Sequence, residues 1–142
     1  MVTTNTLDKF IKAQDKLFQV ALDEIKGGKK RSHWMWFIFP QIKGLGFSEM
    51  SNYYAIENIL EAQDYINHPV LGKRLIEIAS ALLQLETSDP NLVFGSPDDM
   101  KLKSSMTLFA SVPDTNEVFK QVLEKFFNGK MDSKTLRIAN LT

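Results

Sequence analysis

The sequence predicts an all-α fold in a single domain that spans the 142 residues. Three observations carry this prediction. Apolar residues recur every three or four positions over long stretches, which is the spacing of a helix face that packs on a core. Residues that cap helices stand before these stretches, and glycine or proline often follows them. Alternation of apolar and polar residues, the pattern typical of strands, is almost absent.

Six or seven helices are expected. Thr6 is the expected N-cap of the first helix, which carries apolar residues at helical spacing from 7 to 25 and ends at the glycine pair that follows. Ser32 is the expected cap of a short helix over 33–39, stopped by the next proline. The same run of bulky residues also fits a buried strand.

The second half of the chain continues the helical pattern. Ser48 is suited to cap one helix, residues 56–67 have helical spacing, and Pro69 fits the first turn of a helix to about Leu85. Ser96-Pro97-Asp98-Asp99 combines a cap, a proline at the first helical position and two acids that favour the helix dipole.

The last helices follow from two further start signals. Asp114 precedes a helix that ends near Gly129, and Asp132 or Ser133 begins a final short helix. No stretch rich in proline, glycine or serine divides the chain, so we expect one domain without a linker.

Composition restricts the class of protein. Hydrophobic residues make up 44% of the chain, and 17 basic residues balance 17 acidic ones. Neutrality makes nucleic acid an improbable partner. The absence of cysteine excludes disulfides, thiolate metal sites and a cysteine nucleophile. The N-terminus does not read as a signal peptide, and the longest apolar run is too short to span a bilayer, so we expect a cytoplasmic protein without membrane contact.

A basic and aromatic segment follows the first predicted helix. It reads Lys29-Lys-Arg-Ser-His-Trp-Met-Trp-Phe-Ile-Phe-Pro-Gln41. Lys30 and Arg31 suit a phosphate, and the indole rings of Trp34 and Trp36 suit the face of a base or sugar. His33 titrates near neutrality and is therefore the natural candidate for proton transfer. The alternative is a core helix preceded by a solvated basic turn.

Three further polar residues lie on predicted apolar helix faces. Gln14 interrupts the apolar stripe of the first helix, where it could read the polar edge of a ligand or tie a neighbouring element to the core. Asp98 and Ser105 share one face of a later helix. Asp98 could act as a general base or orient a ligand hydroxyl, or it could simply favour the helix dipole. Lys101 and Lys103 are expected to be solvated charges.

The chain resembles the domain-of-unknown-function 1810 family. The resemblance is carried by residues 30–41, by His68-Pro-Val-Leu-Gly72, by residues 94–109, and by the short stretches 10–14 and 132–136. It covers nearly the whole chain and implies a compact multihelical bacterial protein. It supplies no residue with an established catalytic role. Some members carry the name calpastatin, but this patterned globular chain does not suggest protease inhibition.

A shorter resemblance is to the YbiA-like N-glycosidases. Residues 10–14 are similar to one helix of those enzymes and residues 103–109 to another. This resemblance implies chemistry on ADP-ribose or on riboflavin precursors. The chain has Leu7-Asp8-Lys9 where that family has a Glu-His pair, and it lacks the family's late Trp-Gly segment.

These observations lead to a first hypothesis, a pocket for a small phosphorylated or nucleotide-like ligand. Its walls would come from the basic and aromatic segment, Gln14 and the start of the Asp98 helix. Hydrolysis or transfer at a glycosidic bond is the corresponding reaction, with Asp98 or His33 moving the proton. No cofactor and no metal is implied. The rival hypothesis is a helical protein-interaction module without catalysis.

Overall fold

Helices form most of the described part of the chain. The structure is a computed structural model that describes the backbone of residues 3–140 and the side chains of residues 7–140. In chain order the helices are α1 (Thr3–Lys26), α2 (Met35–Ile38), α3 (Glu49–Tyr53), α4 (Ile59–Asn67), α5 (Leu71–Leu83), α6 (Pro90–Phe94), α7 (Asp98–Ala110), α8 (Val118–Phe127) and α9 (Ser133–Ile138). Over these residues no strand forms, and one isolated parallel bridge joins Ile42 to Ile56. The prediction of an all-α fold is confirmed.

Nine helices over residues 3–140 exceed the six or seven expected. The difference comes from short helices, of which α6 was not predicted. Asp89 accepts hydrogen bonds from the backbone N–H groups of Asn91 and Leu92, and Pro90 occupies the first turn, so five residues become helical. A helix of this length shows too little apolar periodicity to be recognised from sequence.

Three predicted N-caps are wrong, while two are confirmed. Thr6 lies inside α1, which begins at Thr3. Ser32 lies outside α2 and donates to a carboxylate instead, and Ser96 precedes α7 by two residues because Pro97 holds the cap position. Ser48 and Asp132 do cap α3 and α9 through their side-chain oxygens.

The turn between α4 and α5 depends on two residues. The Nδ1 atom of His68 accepts hydrogen bonds from the backbone N–H groups of Val70 at 3.1 Å and Leu71 at 3.3 Å, so it caps α5. A Cβ atom at Gly72 would lie 1.8 Å from the carbonyl oxygen of Ile66, so the two helices approach closely because this position has no side chain.

An aromatic series connects the core helices. Phe10 meets Tyr65 edge to face at 5.2 Å between ring centroids, Tyr65 lies 5.3 Å from Phe109, and Phe109 lies 5.8 Å from Phe119. All four side chains are fully buried. The series therefore links α1, α4, α7 and α8 into one core.

The aromatic run at α2 packs on a second side of this core. Five of the six residues from 34 to 39 are buried, and Trp36 is the partly exposed one. The alternative of a core helix therefore fits this run, except at Trp36. Of the helices in residues 3–140, none combines the length and apolar character needed to cross a membrane.

Candidate functional site

Gln14 ties four elements together inside the core. Its Nε2 atom donates to the carbonyl oxygen of Phe37 at 2.7 Å and to the hydroxyl of Tyr65 at 2.8 Å, and its Oε1 atom accepts from Arg74 at 3.4 Å. Only 2% of the residue is exposed. The structure thus uses both ends of this amide to join α1 to α2, α4 and α5, and it does not bring Gln14 to a surface cleft.

A carboxylate near the end of α1 organises the basic and aromatic segment. Glu24 accepts hydrogen bonds from the backbone N–H groups of Arg31 and Ser32, from the Ser32 hydroxyl at 2.6 Å and from the indole N–H of Trp34 at 2.9 Å. These four bonds fold the chain back over α1. They also place the Trp34 ring in the core, where it is fully buried.

The hydrogen bonds outweigh burial in setting the acidity of Glu24. Burial alone would raise its pKa, but the donors from Ser32, Arg31 and Trp34 lower the pKa from 4.5 to about 2. Sequence analysis missed this residue. The sequence feature that could have identified it is an acidic residue in the last turn of a helix, where the helix dipole disfavours negative charge.

Replacing Glu24 by Gln should destabilise the protein in a pH-dependent way. The folded-state pKa lies below the unfolded value, so this contribution is fully present above about pH 4.5 and is lost as pH falls toward 2. At pH 7 we expect the variant to be less stable by about 1–3 kcal/mol, allowing for partial exposure of the carboxylate. Urea unfolding of both proteins at pH 7, 4.5 and 3 measures the difference.

Glu77→Gln is the matched control, since Glu77 is exposed on α5 and accepts no hydrogen bond from the other described residues. Its stability difference from the parent should stay small and change little over this range. A Glu24→Gln difference that is constant from pH 7 to pH 3 would contradict the hydrogen-bonded carboxylate.

Two lysines flank Asp98 at the start of α7, and each of them lies over a tryptophan ring. Lys30 Nζ lies 2.9 Å from one carboxylate oxygen of Asp98, and Lys101 Nζ lies 3.7 Å from the other. The Lys30 ammonium lies 5.1 Å from the ring centroid of Trp34, and that of Lys101 lies 5.7 Å from Trp36. The predicted meeting of the basic segment with the Asp98 helix therefore exists as a cation–carboxylate–aromatic cluster.

Beside this cluster lie two adjoining depressions. The first, which we call the narrow cleft, measures about 360 Å³ including its mouth, yet its interior has room for about one water molecule. Its lining comprises Met35, Trp36, Phe39, Gln41, Ile42, Gly44, Gly46, Ser51, Tyr54 and Lys101. Three of these residues, Trp36, Phe39 and Tyr54, are aromatic. Burial raises the pKa of Tyr54, with a further contribution from Tyr53, so the Tyr54 phenol stays neutral.

The second depression, the open groove, is wider and has more charged residues in its lining. It measures about 550 Å³ with its mouth. Its lining comprises Gln41, Leu45, Gly46, Pro97, Met100, Lys101, Ser104, Asp132 and Lys134. The narrow cleft and the open groove share Gln41, Gly46 and Lys101, so they form one continuous concave surface.

The remaining predicted site residues lie elsewhere. His33 and Arg31 are exposed, and neither side chain makes a hydrogen bond or ion pair with another described residue. Ser105 is fully buried, its hydroxyl has no partner among the described residues, and it lines neither depression. The expectation that Lys101 is simply solvated is wrong, because its side chain is 28% exposed and borders both depressions.

Metal binding finds no support in the described residues. Over residues 3–140, no group of three or more His, Asp and Glu side chains converges in a way that could hold a metal ion. The side chains around the two depressions supply ammonium, carboxylate, amide and hydroxyl groups and aromatic rings.

The fold and the joined depressions define a multihelical all-α protein with a surface site lined by lysines and aromatic rings. The chain belongs to the DUF1810 family, described as proteins of unknown function, whose profile matches residues 4–139. The resemblance seen in the sequence is thereby confirmed.

A solved relative has the same fold. The crystal structure of the conserved hypothetical protein Rv1873 from Mycobacterium tuberculosis is 41% identical in sequence and superposes with a TM-score of 0.92. The match covers 96% of this chain and 97% of that one. No functionally curated protein matches the chain. None of these comparisons supports the resemblance to the YbiA-like N-glycosidases.

Proposed function

We propose that the narrow cleft and the open groove together bind a small phosphorylated or nucleotide-like ligand. The observation that carries this proposal is the contrast between two depressions that join at Lys101. Three aromatic rings line the narrow cleft, whereas Lys134 joins Lys101 in the lining of the open groove. A nucleotide has the same two parts, an apolar ring face and a charged phosphate.

The ring of the ligand would lie at the mouth of the narrow cleft. The interior is too small for a heterocycle, but Trp36 lines this cleft and is partly exposed, so its indole ring is the stacking partner. Stacking of a base on an aromatic ring contributes about 1–3 kcal/mol. Trp34, the other predicted stacking residue, is fully buried and packs against Phe39 and Phe94, so Trp36 takes this role alone.

The phosphate would bind to Lys101 and Lys134 in the open groove. The residues first expected there are Lys30 and Arg31, but neither lines a depression, and only 10% of the Lys30 side chain is exposed. Asp132 also lines the groove. Its carboxylate oxygen accepts from the backbone N–H and the hydroxyl of Thr135, which offsets part of its negative charge.

A reaction at a glycosidic bond of such a ligand would involve Asp98 through its ion pair with Lys101, since Asp98 itself lines neither depression. Its two oxygens face Lys30 and Lys101, so the carboxylate positions these ammonium groups and could stabilise positive charge that develops on a sugar ring. Binding is the better-supported function, because Asp98 is already paired and His33 has no hydrogen-bond partner among the described residues.

Melting temperatures in the presence of AMP, GMP, UMP, CMP and ribose 5-phosphate test the binding proposal. A ligand that binds the native state raises the melting temperature, so at least one of these compounds should do so. Lys101→Gln should weaken its affinity roughly tenfold, the scale of one charge-assisted contact. Calorimetric titration of parent and variant measures this.

Lys120→Gln is the matched control, since Lys120 is exposed on α8 and lines neither depression. It should bind as the parent does. Failure of every compound to change melting, or an equal loss of affinity in both variants, would refute the proposed site.

One observation favours protein interaction as a second candidate function. Phe47, Met50 and Tyr53 are exposed, Phe47 by 84%, and α3 buries none of its own residues. Apolar side chains grouped in this way are typical of contact surfaces. Comparison of Phe47→Ser with the parent by sedimentation at increasing concentration tests self-association, which the substitution should abolish if a second copy covers this segment.

A further inference from the structure

Gln41 occupies the junction of the two depressions. It lines both the narrow cleft and the open groove, as do Gly46 and Lys101. Of these three residues, only Gln41 has a side chain that both donates and accepts hydrogen bonds. Whatever spans the junction must pass this amide.

The backbone on both sides of Gln41 is held in place. Its carbonyl oxygen accepts a hydrogen bond from the N–H of Ile56 at 2.8 Å, and the N–H of Lys43 donates to the carbonyl oxygen of Ile56 at 2.8 Å. Pro40 and Ile42, the neighbours in sequence, are buried. The amide therefore projects from a fixed backbone, as groups that recognise ligands do, rather than from a loose surface loop.

The side-chain amide of Gln41 is also available. It makes no hydrogen bond with the other residues from 7 to 140, whereas both ends of the Gln14 amide are used inside the core. Gln41 is partly buried, so part of its surroundings is protein rather than water. A ligand that pairs with both amide atoms would satisfy them, and a ligand that pairs with neither would leave them partly desolvated.

We propose that Gln41 determines which ring the site accepts, an inference that rests on the proposed binding of a nucleotide-like ligand. The glutamine amide presents a donor beside an acceptor, which complements a heterocycle whose edge carries an acceptor beside a donor, as the edges of nucleobases do. The ligand class is therefore a phosphorylated nucleobase-type heterocycle, rather than a simple sugar phosphate. Lys101 holds its phosphate, Trp36 stacks on the ring, and Gln41 reads the edge.

Calorimetric titration of the full-length protein with AMP, GMP, UMP, CMP and ribose 5-phosphate tests this inference. The parent should prefer one nucleotide over the weakest by at least about fivefold, the discrimination of one bidentate pair. Gln41→Ala should reduce this preference to below about twofold, because the edge-reading contact is lost. Its affinity for ribose 5-phosphate, which has no heterocycle, should stay within about twofold of the parent.

Gln121→Ala, an exposed glutamine on α8 that lines neither depression, controls for general effects and should retain the preference. A preference that survives Gln41→Ala would overturn the role of Gln41 while leaving the proposed function standing. The same conclusion would follow if the parent bound all four nucleotides equally. It would also follow if Gln41→Ala lost as much affinity for ribose 5-phosphate as for the nucleotides. A parent that binds none of the five compounds would refute the proposed function and this inference with it.

Discussion

Trp34→Ala should lower the free energy of unfolding by about 3–5 kcal/mol, the usual cost of removing a fully buried tryptophan. The ring is 0% exposed and contacts Phe39 and Phe94 at 6.3 and 6.4 Å between centroids. Truncation also removes the indole N–H that donates to Glu24. Urea unfolding followed by circular dichroism measures the loss.

Trp36→Ala is the matched control, two residues away in the same segment. Trp36 is partly exposed at the narrow cleft, and the residues beside it are buried. We expect a loss below about 2 kcal/mol, because less apolar surface returns to water. Equal losses in the two variants would contradict the assignment of Trp34 to the core and Trp36 to the site. Trp36→Ala should weaken the binding of a ligand to the site.

Gly72→Ala should destabilise the protein by at least about 2–3 kcal/mol, the upper part of the range for overpacking. In the interior of a helix, alanine in place of glycine ordinarily stabilises by about 1 kcal/mol. At this position the added Cβ would lie 1.8 Å from the carbonyl oxygen of Ile66, so α4 and α5 must move apart. Steric overlap with backbone should outweigh helix propensity.

Gly27→Ala is the control, because an added Cβ has room at this position. Gly27 follows the last residue of α1, and its added Cβ would meet the carbonyl oxygen of Asp23 at 3.4 Å, an ordinary contact. Its stability should remain within about 0.5 kcal/mol of the parent. A Gly72→Ala protein that melts at or above the parent temperature would show that the turn at His68 relaxes without cost.

The positions of α1, α5 and α8 could be predicted because each carries an apolar stripe, and that of α7 because of the residues at its start. α1, α5, α7 and α8 lie within or close to the expected stretches. The ends were harder to predict. Ser48 and Asp132 cap their helices, but Ser32 donates to Glu24, eight residues earlier in sequence. A serine that bonds to a residue of another helix cannot be distinguished from a cap by its sequence neighbours.

The candidate site was predicted in part. One cation of the basic and aromatic segment does reach Asp98: Lys30 pairs with its carboxylate and lies over the Trp34 ring. The two tryptophans, which were expected to share one role, occupy different environments. Trp34 is buried and Trp36 is partly exposed at the cleft, although both are tryptophans in one run, because a short helix turns neighbouring residues to different sides.

The sequence alone determined the fold class, the longer helices, and the two segments that border the proposed site, since periodicity and residue type are local properties. The tertiary structure decided which polar groups remain available. Gln14 and Gln41 have the same side chain, but Gln14 is used between helices and Gln41 lies at the junction of two depressions. Whether an amide stabilises the core or faces a ligand depends on which distant atoms surround it, and only the packing of the helices places those atoms.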